Sequence, residues 1–348
     1  METTKTVITK ETKNKISVDY EGKLSVKERL MKKLSASNTW ITAGVNVLRF
    51  ILMMGVSYVI LFPFISKIAG SFMTKEDVID ATVSLIPKAA TLEQYKYIIV
   101  DNRYFEAFLN TLILSLLCAV IQTFVACLIG YGLSKFKFKG NKLIMLLVVV
   151  TMIIPHNTLK ISMMRHFEAF DPGYWMSFGG QGLLTQLVGK NIELTNTFWP
   201  FIILSLGGLA FKNGLYIYMM RQFFKGVPDE LEESAYVDGS GVFRTFFQII
   251  LPLSVPMMIT IFLFSFSWQW TDNFYAEQFL VDTDITTMYR LYTQIPASLE
   301  DPNFTGWKLY KNAIQNTNSL LIILPLVIVY LFCQKYLVQG IERSGLVG

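Results

Sequence analysis

The chain has 348 residues, of which 52% are hydrophobic and only 16% are charged, whereas an average soluble domain has about 25% charged residues. So few charges argue against an ordinary soluble protein and favour one with several membrane-spanning segments. The formal net charge of +5 requires no nucleic-acid partner, because lysine-rich segments facing anionic membrane lipid account for it.

The chain begins with a polar tail. Residues 1–44 are rich in lysine, threonine and serine, and we expect a flexible or partly helical cytoplasmic tail. Within it, residues 24–34 carry apolar side chains at helical spacing. This stretch is predicted either to lie on the membrane surface as a short amphipathic helix or to be disordered. Residues 45–348 form the predicted transmembrane domain.

Six apolar runs follow the tail, and each is close to the roughly 20 residues that a helix needs to cross a bilayer. Backbone amides cannot stay unpaired in hydrocarbon, and the runs are continuous rather than alternating, so helices are expected. The fold class predicted is an all-α membrane protein with about six transmembrane helices. The predicted spans are residues 45–66, 108–132, 143–164, 197–220, 249–270 and 313–333.

Lysine and arginine give the orientation. The segments on the side of the N-terminus contain 18 of these residues, and the three loops on the other side contain 9. Positive charge is enriched on the cytoplasmic side, so both termini are predicted to be cytoplasmic. The cytoplasmic segments are 1–44, 134–142, 221–248 and 334–348, and the extracellular loops are 71–106, 165–196 and 271–312.

Residues 226–252 are polar and broken by turn residues between two apolar runs. Pro228 fits the first turn of a helix, where its missing amide hydrogen costs nothing. Acidic residues crowd the next turns, where the helix dipole favours negative charge. Gly239 tolerates positive φ and is predicted to end this helix. A second helix is predicted from Val242 to Pro252, where proline bends the chain into the next span. We call this predicted helix–turn–helix segment the elbow.

The elbow resembles the EAA loop of ATP-driven import permeases, in which a Glu-Ala-Ala triplet is followed at fixed distances by Gly, Ile and Leu-Pro. Ser234 replaces the middle alanine and is the only departure. An ordinary cytoplasmic loop would explain the polarity but not these spacings. The resemblance implies docking into a cleft of a separate ATPase, with Glu233, Ala235 and Gly239 at the contact. The residues assigned to ATPase coupling are Glu233, Ser234, Ala235, Asp238, Gly239, Ile249, Leu251 and Pro252.

Residues 221–224 and 249–256, on either side of the elbow, resemble sugar-import permeases, and residues 110–112 and 334–341 resemble the second permease of maltose-type carbohydrate importers. The resemblance implies a type I importer permease fold with cytoplasmic coupling helices, in a bacterial plasma membrane. The implied partners are a second homologous permease, an ATP-binding subunit dimer, an extracellular solute-binding protein and a sugar. ATP and Mg²⁺ are expected in the partner ATPase, with no cofactor in this chain. Residues 171–196 lie outside the resemblance.

Polar side chains at the end of the fifth predicted span are candidates for contact with a sugar. Trp268 and Asp272 are four residues apart, as are Gln269 and Asn273, so each pair shares a face if the helix continues. An aromatic plane beside carboxylate and carboxamide groups suits a sugar ring. Tryptophan is also enriched at membrane interfaces, which is the alternative reading. The candidate pathway residues are Asn110, Trp268, Trp270, Asp272 and Asn273.

Other polar residues in the spans have two readings each. Lys160 and Lys212 face either a water-filled passage or the membrane interface. Ser115 and Gln122 either line a path or bridge helices. His156 follows a proline and is interpreted as a satisfied internal histidine.

The sequence shows no glycine-rich phosphate loop and no HExxH spacing, so neither catalysis, a metal site nor nucleotide binding is predicted for this chain. The main alternative is an ion- or proton-driven secondary transporter without an ATPase. Such proteins often carry internal repeats, and no repeat is apparent here. A membrane scaffold without transport is a third reading, which would lack a passage lined by polar groups.

Overall fold

The computed structural model describes residues 8–11, 17–20, 37–172, 182–281 and 283–343. The chain divides into two compact units, residues 1–66 and 67–348. In the first unit, β1 (Ile8–Glu11) and β2 (Ser17–Tyr20) form an antiparallel pair, where the sequence predicted a flexible or helical tail. The predicted amphipathic segment 24–34 lies outside the described residues.

The rest of the described chain is helical. In chain order the helices are α1 (Ser37–Gly70), α2 (Lys75–Ile79), α3 (Glu93–Asp101), α4 (Tyr104–Lys135), α5 (Asn141–Ile153), α6 (His156–Glu168), α7 (Leu183–Val188), α8 (Trp199–Leu206), α9 (Asn213–Lys225), α10 (Glu230–Val237), α11 (Val242–Thr245), α12 (Leu251–Trp270), α13 (Phe274–Phe279), α14 (Met288–Thr293) and α15 (Trp307–Arg343). A π-helical turn, Phe246–Ile250, joins α11 to α12, and a 3₁₀ turn spans Ala297–Leu299.

Four helical stretches of the described chain are long and apolar enough to cross a membrane. They are Gly44–Gly70 in α1, Tyr104–Lys135 in α4, Val242–Trp270 through α11 and α12, and Trp307–Leu337 in α15. These stretches contain four of the six predicted spans, so the all-helical fold class is confirmed.

The other two predicted spans are interrupted. Between α5 and α6 the chain bends by 101°. Ile154 there is extended, with φ −67° and ψ 120°, because a following proline disfavours the helical conformation. Between α8 and α9, residues 207–212 break the helix, and both Gly208 (φ +67°) and Lys212 (φ +69°) are left-handed.

Helix α4 lies at the centre of the bundle, in contact with α8, α9 and α12. Its inward face carries small residues, and Cys118 and Cys127 are free thiols buried there. At Gly130 the backbone of α9 comes so close that an added Cβ would lie 2.6 Å from Met220 Cβ and 2.9 Å from the Arg221 backbone nitrogen. Small residues thus allow α4 and α9 to pack tightly.

A buried amide joins three helices. Gln122 of α4 donates from Nε2 to Ser205 Oγ of α8 at 3.1 Å and accepts from Ser265 Oγ of α12 at 2.7 Å. All three residues are buried. Gln122 therefore bridges helices, which is one of the two roles predicted for it.

The loops sort to two ends of the second unit. At one end, Lys75 pairs with Asp301 at 3.1 Å, and the Asn196 amide donates to Phe279 O at 2.6 Å. These contacts join all three loops that the charge pattern predicted to share a side. At the other end, Lys135 contacts Asp229 at 2.5 Å, which joins two segments predicted to lie on the opposite side.

The close approach at Gly130 gives the first prediction. Gly130→Ala should lower the stability of the purified protein by about 1–3 kcal/mol, because α4 and α9 must separate to admit a methyl group. Gly132, two residues along α4, has no atom within 4 Å of an added Cβ. Gly132→Ala should therefore keep or raise stability, by up to about 1 kcal/mol. Thermal unfolding in detergent measures both, and equal losses would contradict the packing argument.

Candidate functional site

The first half of the elbow is a short capped helix. Asp229 occupies the N-cap position of α10, and three glutamates follow in the first turn, where the helix dipole favours negative charge. At the other end, Gly239 has φ +83°. Its amide donates to Tyr236 O at 3.0 Å, and the Ser240 amide donates to Ala235 O at 2.9 Å. This pair of bonds is the Schellman motif, and Gly239 ends the helix as predicted.

The second half of the elbow enters the bundle without a sharp break. The predicted bend at Pro252 takes the form of the wider π turn Phe246–Ile250, and Pro252 lies in the first turn of α12. Ile249 and Leu251 are half-buried against the core around Phe224. These motif residues therefore fix the path of the chain from α11 into α12.

One side of α10 is held to the end of α4 by a buried ion pair. Glu232 accepts from Tyr131 Oη at 2.5 Å and lies 3.4 Å from Lys135 Nζ. The side chains of Lys135 and Glu232 are 8% and 9% exposed. Lys135 also donates to Val227 O at 2.6 Å. We call Tyr131, Lys135 and Glu232 the clamp.

The clamp has an exposed companion in Asp229. Lys135 Nζ lies 2.5 Å from Asp229 Oδ1, and the Asp229 side chain is 77% exposed. Hydrogen bonding from the Lys135 ammonium, with its charge, lowers the pKa of Asp229 below the usual value. The ammonium therefore serves two carboxylates, and only the one on Glu232 is shielded from water.

The opposite side of α10 is open. Ala235 is buried with Glu232, whereas Glu233, Ser234, Asp238 and Gly239 are exposed. Of the three residues expected at the ATPase contact, Glu233 and Gly239 thus lie on the surface, and Ala235 packs inward. Two large apolar side chains flank them, Val237 at 87% and Phe243 at 81% exposure. Exposed apolar groups beside a charged residue are typical of a surface that another protein covers.

The two candidate pathway tryptophans lie on different sides of α12. Trp268 is 48% exposed, and its ring centroid is 5.5 Å from that of Phe211. Trp270 is 1% exposed, donates from Nε1 to Ile322 O at 3.0 Å and packs edge-on against Phe108. Trp270 therefore joins α12 to α15, and Trp268 faces the breaks in the helices.

The remaining candidates hold loops and helix ends. Asn110 donates from Nδ2 to Thr286 O at 3.0 Å. Helix α12 ends at Trp270, so the residue pairs expected four apart on a continued helix do not share a helical face. Asp272 instead accepts the Tyr275 amide at 3.2 Å at the start of α13, and the exposed Asn273 occupies the N-cap position.

Two cavities adjoin the breaks in the helices. One, of about 320 Å³, is lined by residues of both breaks, including His156 and Lys212. The other, of about 500 Å³, lies between α6 and α8 and shares His156 and Thr151 with the first. His156 packs against Phe211 at 4.9 Å between ring centroids. An accessible space therefore exists where two of the predicted spans are interrupted.

A comparison of the sequence with known families decides the class. Residues 122–343 match the family described as "Binding-protein-dependent transport system inner membrane component". The chain belongs to this family. The matched region contains the elbow, both helix breaks and α15, and the long apolar helices embed this permease in the membrane.

Relatives cover most of the permease. Protein LplC of Bacillus subtilis is 28% identical over 309 residues, 87% of this chain and 95% of that protein. The polygalacturonan/rhamnogalacturonan transport system permease protein YtcP of the same organism is 28% identical over 284 residues, 80% and 89% of the two chains. The maltodextrin transport system permease protein MalD of Streptococcus pneumoniae is 26% identical over 302 residues, 86% and 94%.

A solved structure has the same fold. A chain in the crystal structure of a bacterial ABC transporter involved in the import of the acidic polysaccharide alginate superposes with a TM-score of 0.61 at 22% identity. The match covers 86% of the permease and 98% of that chain. The permease thus has an ABC importer permease fold.

Sequence reasoning did not find the clamp. In the sequence, Lys135 is one of several lysines in a positive cytoplasmic segment, and Glu232 is one of several acids at the start of a predicted helix. A signal was present, because Lys135 is the last residue of α4 and five acidic residues stand in the elbow. The pairing itself depends on the tertiary position of α10, which the spacing does not determine.

The clamp gives the second prediction. Glu232→Gln should destabilise the permease by about 1–3 kcal/mol, because the buried Lys135 ammonium loses its shielded ion-pair partner. Glu230→Gln is the matched control, since Glu230 lies in the same first turn and is exposed. Thermal unfolding in detergent should separate the two variants. A loss for Glu230→Gln as large as for Glu232→Gln would contradict the clamp.

Proposed function

We propose that this permease is one of two homologous membrane subunits of an ATP-driven importer, and that together they form the pathway for a sugar or oligosaccharide. An extracellular solute-binding protein delivers the substrate. A dimer of separate ATP-binding subunits docks at the elbow and holds ATP and Mg²⁺. This chain supplies part of the pathway and the elbow on which the ATPase acts, and its own residues carry out no chemical step.

The observation that carries the proposal is the difference between the two sides of α10, one of which is anchored and the other exposed. Its inner side is fixed to α4 by the clamp, and its outer side exposes Glu233 beside Val237 and Phe243. A helix that is anchored on one side and exposed on the other is suited to be displaced by a partner subunit that docks on its exposed side. Rigid-body movement of such an element is a common way to transmit domain closure.

The contacts suggest the route of that movement. A displacement of α10 acts on α4 through Lys135 and Glu232, and on α12 through the π turn. Helix α4 in turn packs against α8 and α9 on either side of the second break. Closure of the ATPase dimer would thus shift the interrupted helices and open the pathway to alternate sides of the membrane. Hydrolysis of ATP would reset it.

The names of the relatives support a carbohydrate substrate. YtcP and MalD are named for transport of polygalacturonan or rhamnogalacturonan and of maltodextrin, respectively. One of these substrates is acidic and the other is neutral, so the family leaves the charge of the substrate open.

The proposed setting is a bacterial plasma membrane, with both termini and the elbow in the cytoplasm. The excess of lysine and arginine on that side supports this orientation. The contact of Lys135 with Asp229 also brings two of the segments with that excess to one end of the bundle.

The alternative is a secondary transporter driven by an ion or proton gradient, which would need no ATPase. Such a protein would leave the exposed outer side of α10 without a role. Uptake by the purified chain alone in vesicles, without nucleotide, would favour the alternative. Co-purification of an ATPase and a strict requirement for ATP would favour the importer.

The third prediction tests the outer side of α10. Gly239→Asp should abolish ATP-driven uptake while the protein remains in the membrane, because a side chain at φ +83° strains the turn by about 1–2 kcal/mol and adds charge to the contact. Val237→Asp should reduce co-purification of the ATPase at least about tenfold, since one hot-spot side chain can contribute 2 kcal/mol or more.

Val100→Asp is the matched control for both variants. Val100 is 65% exposed near the end of α3, at the opposite end of the bundle from the elbow. Uptake and ATPase association should be retained in this variant. Normal uptake by Gly239→Asp, or equal loss of the ATPase in Val100→Asp, would remove the elbow from the coupling mechanism.

A further inference from the structure

Lys212, at the break between α8 and α9, has no acidic partner among the residues that the structure describes. Its backbone is left-handed, at φ +69°, a conformation that residues with a Cβ adopt infrequently. Within the described part of the chain, no carboxylate lies within ion-pair distance of its Nζ. Ionisable residues within membrane-spanning regions are costly and mark substrate or ion paths.

Aromatic rings hold the ammonium group in place of an acid. Lys212 Nζ lies 4.8 Å from the ring centroid of Phe211 and 4.9 Å from that of Trp268. Cation–π contacts of this kind orient an ammonium group without neutralising its charge. The group is therefore positioned and remains able to bind an anion.

The space beside Lys212 contains donors and no acids. Neither the cavity of about 320 Å³ that Lys212 lines nor the adjoining cavity of about 500 Å³ has an aspartate or glutamate among its lining residues. Their polar side chains are Lys212, His156, His166, Thr151 and Ser162. The volumes are within the range of small-molecule sites, roughly 300–1,000 Å³.

Asp272 is a carboxylate that is linked to this region through Tyr275. It accepts the amide of Tyr275, whose ring lies 6.1 Å from that of His156. Asp272 thus caps α13 and makes no ion pair with Lys212. The positive charge of Lys212 is left for a ligand.

We propose that Lys212 binds a carboxylate group of the transported saccharide, and that the substrate is an oligosaccharide containing uronic acid residues. The half-exposed Trp268 offers an aromatic face for a sugar ring, and the ammonium group beside it offers a partner for the carboxylate that a uronic acid carries. A neutral sugar would leave this cation unpaired. This inference rests on the proposed importer function and adds the charge of its substrate.

The test uses the complete importer, with its second permease, ATPase and binding protein, reconstituted in proteoliposomes. Uptake and stimulated ATP hydrolysis are measured with trisaccharides of galacturonate, mannuronate and guluronate, with the methyl ester of trigalacturonate, and with maltotriose. We expect uptake of at least one uronate trisaccharide and little uptake of the methyl ester or of maltotriose.

Lys212→Gln should then lower uptake of the uronate about tenfold or more, since a charge-assisted hydrogen bond is lost, and Lys212→Arg should retain most of it. Lys308→Gln is the matched control, because Lys308 is an exposed lysine in the first turn of α15. Association of the ATPase, measured by co-purification, should be unchanged in all three variants, which shows that they fold.

The outcomes separate the two proposals. Uptake of neutral but not uronate sugars would overturn the uronate inference and leave the importer function standing, as would uronate uptake that Lys212→Gln does not reduce. Equal losses in Lys212→Gln and Lys308→Gln would also overturn it. An assembled complex that takes up none of these saccharides, and hydrolyses no ATP in response to them, would overturn both.

Discussion

The buried carboxylate of Glu232 is the constraint on which the elbow depends. A charge that is shielded from water needs a partner, and here the partners are the ammonium of Lys135 and the hydroxyl of Tyr131, both on the last turns of α4. Replacing Lys135 would leave the buried carboxylate without its counter-charge, which is far more costly than the pair is stabilising, and replacing Tyr131 would remove a hydrogen bond to it. Moving α10 away from α4 would separate the buried Glu232 carboxylate from Lys135, which is energetically unfavourable. The two helices therefore move together.

The position of α4 extends this constraint through the bundle. At Gly130 its backbone approaches α9 too closely for any side chain, and at Gln122 it is hydrogen-bonded to α8 and α12. Close packing and a satisfied polar bridge both resist gradual deformation. The described spans are interrupted at two places, residues 154–155 and 207–212. Under the proposed coupling, movement of the elbow would reach these interrupted helices through α4 and α12.

Much of this architecture could be predicted from sequence, since long apolar runs and the pattern of charges between them are visible along the chain without tertiary information. The end of α10 was also predictable, because Gly239 acts locally, whereas Pro228 precedes the N-cap residue Asp229 and does not lie in the first turn as expected. Pro155 signalled the first break, yet a 101° bend was not evident, since prolines also occur inside continuous helices such as α12, which contains Pro256. The clamp and the different roles of Trp268 and Trp270 were not predictable. Residues two apart on a helix point in different directions, but only tertiary packing decides which of them is buried.

Lys212 is unusual in two linked ways: its backbone is left-handed, and its ammonium group is held by aromatic rings and has no acidic partner among the described residues. A left-handed backbone and an unpaired cation each cost free energy, and such costs persist only where the surrounding structure imposes them. Phe211 and Trp268 fix the side chain, and the close contact of Gly214 with α5 fixes the start of α9. A glutamine would fill the same space without the charge. That a lysine is held here, between rings rather than beside an acid, is what makes an anionic ligand the simplest account of the site.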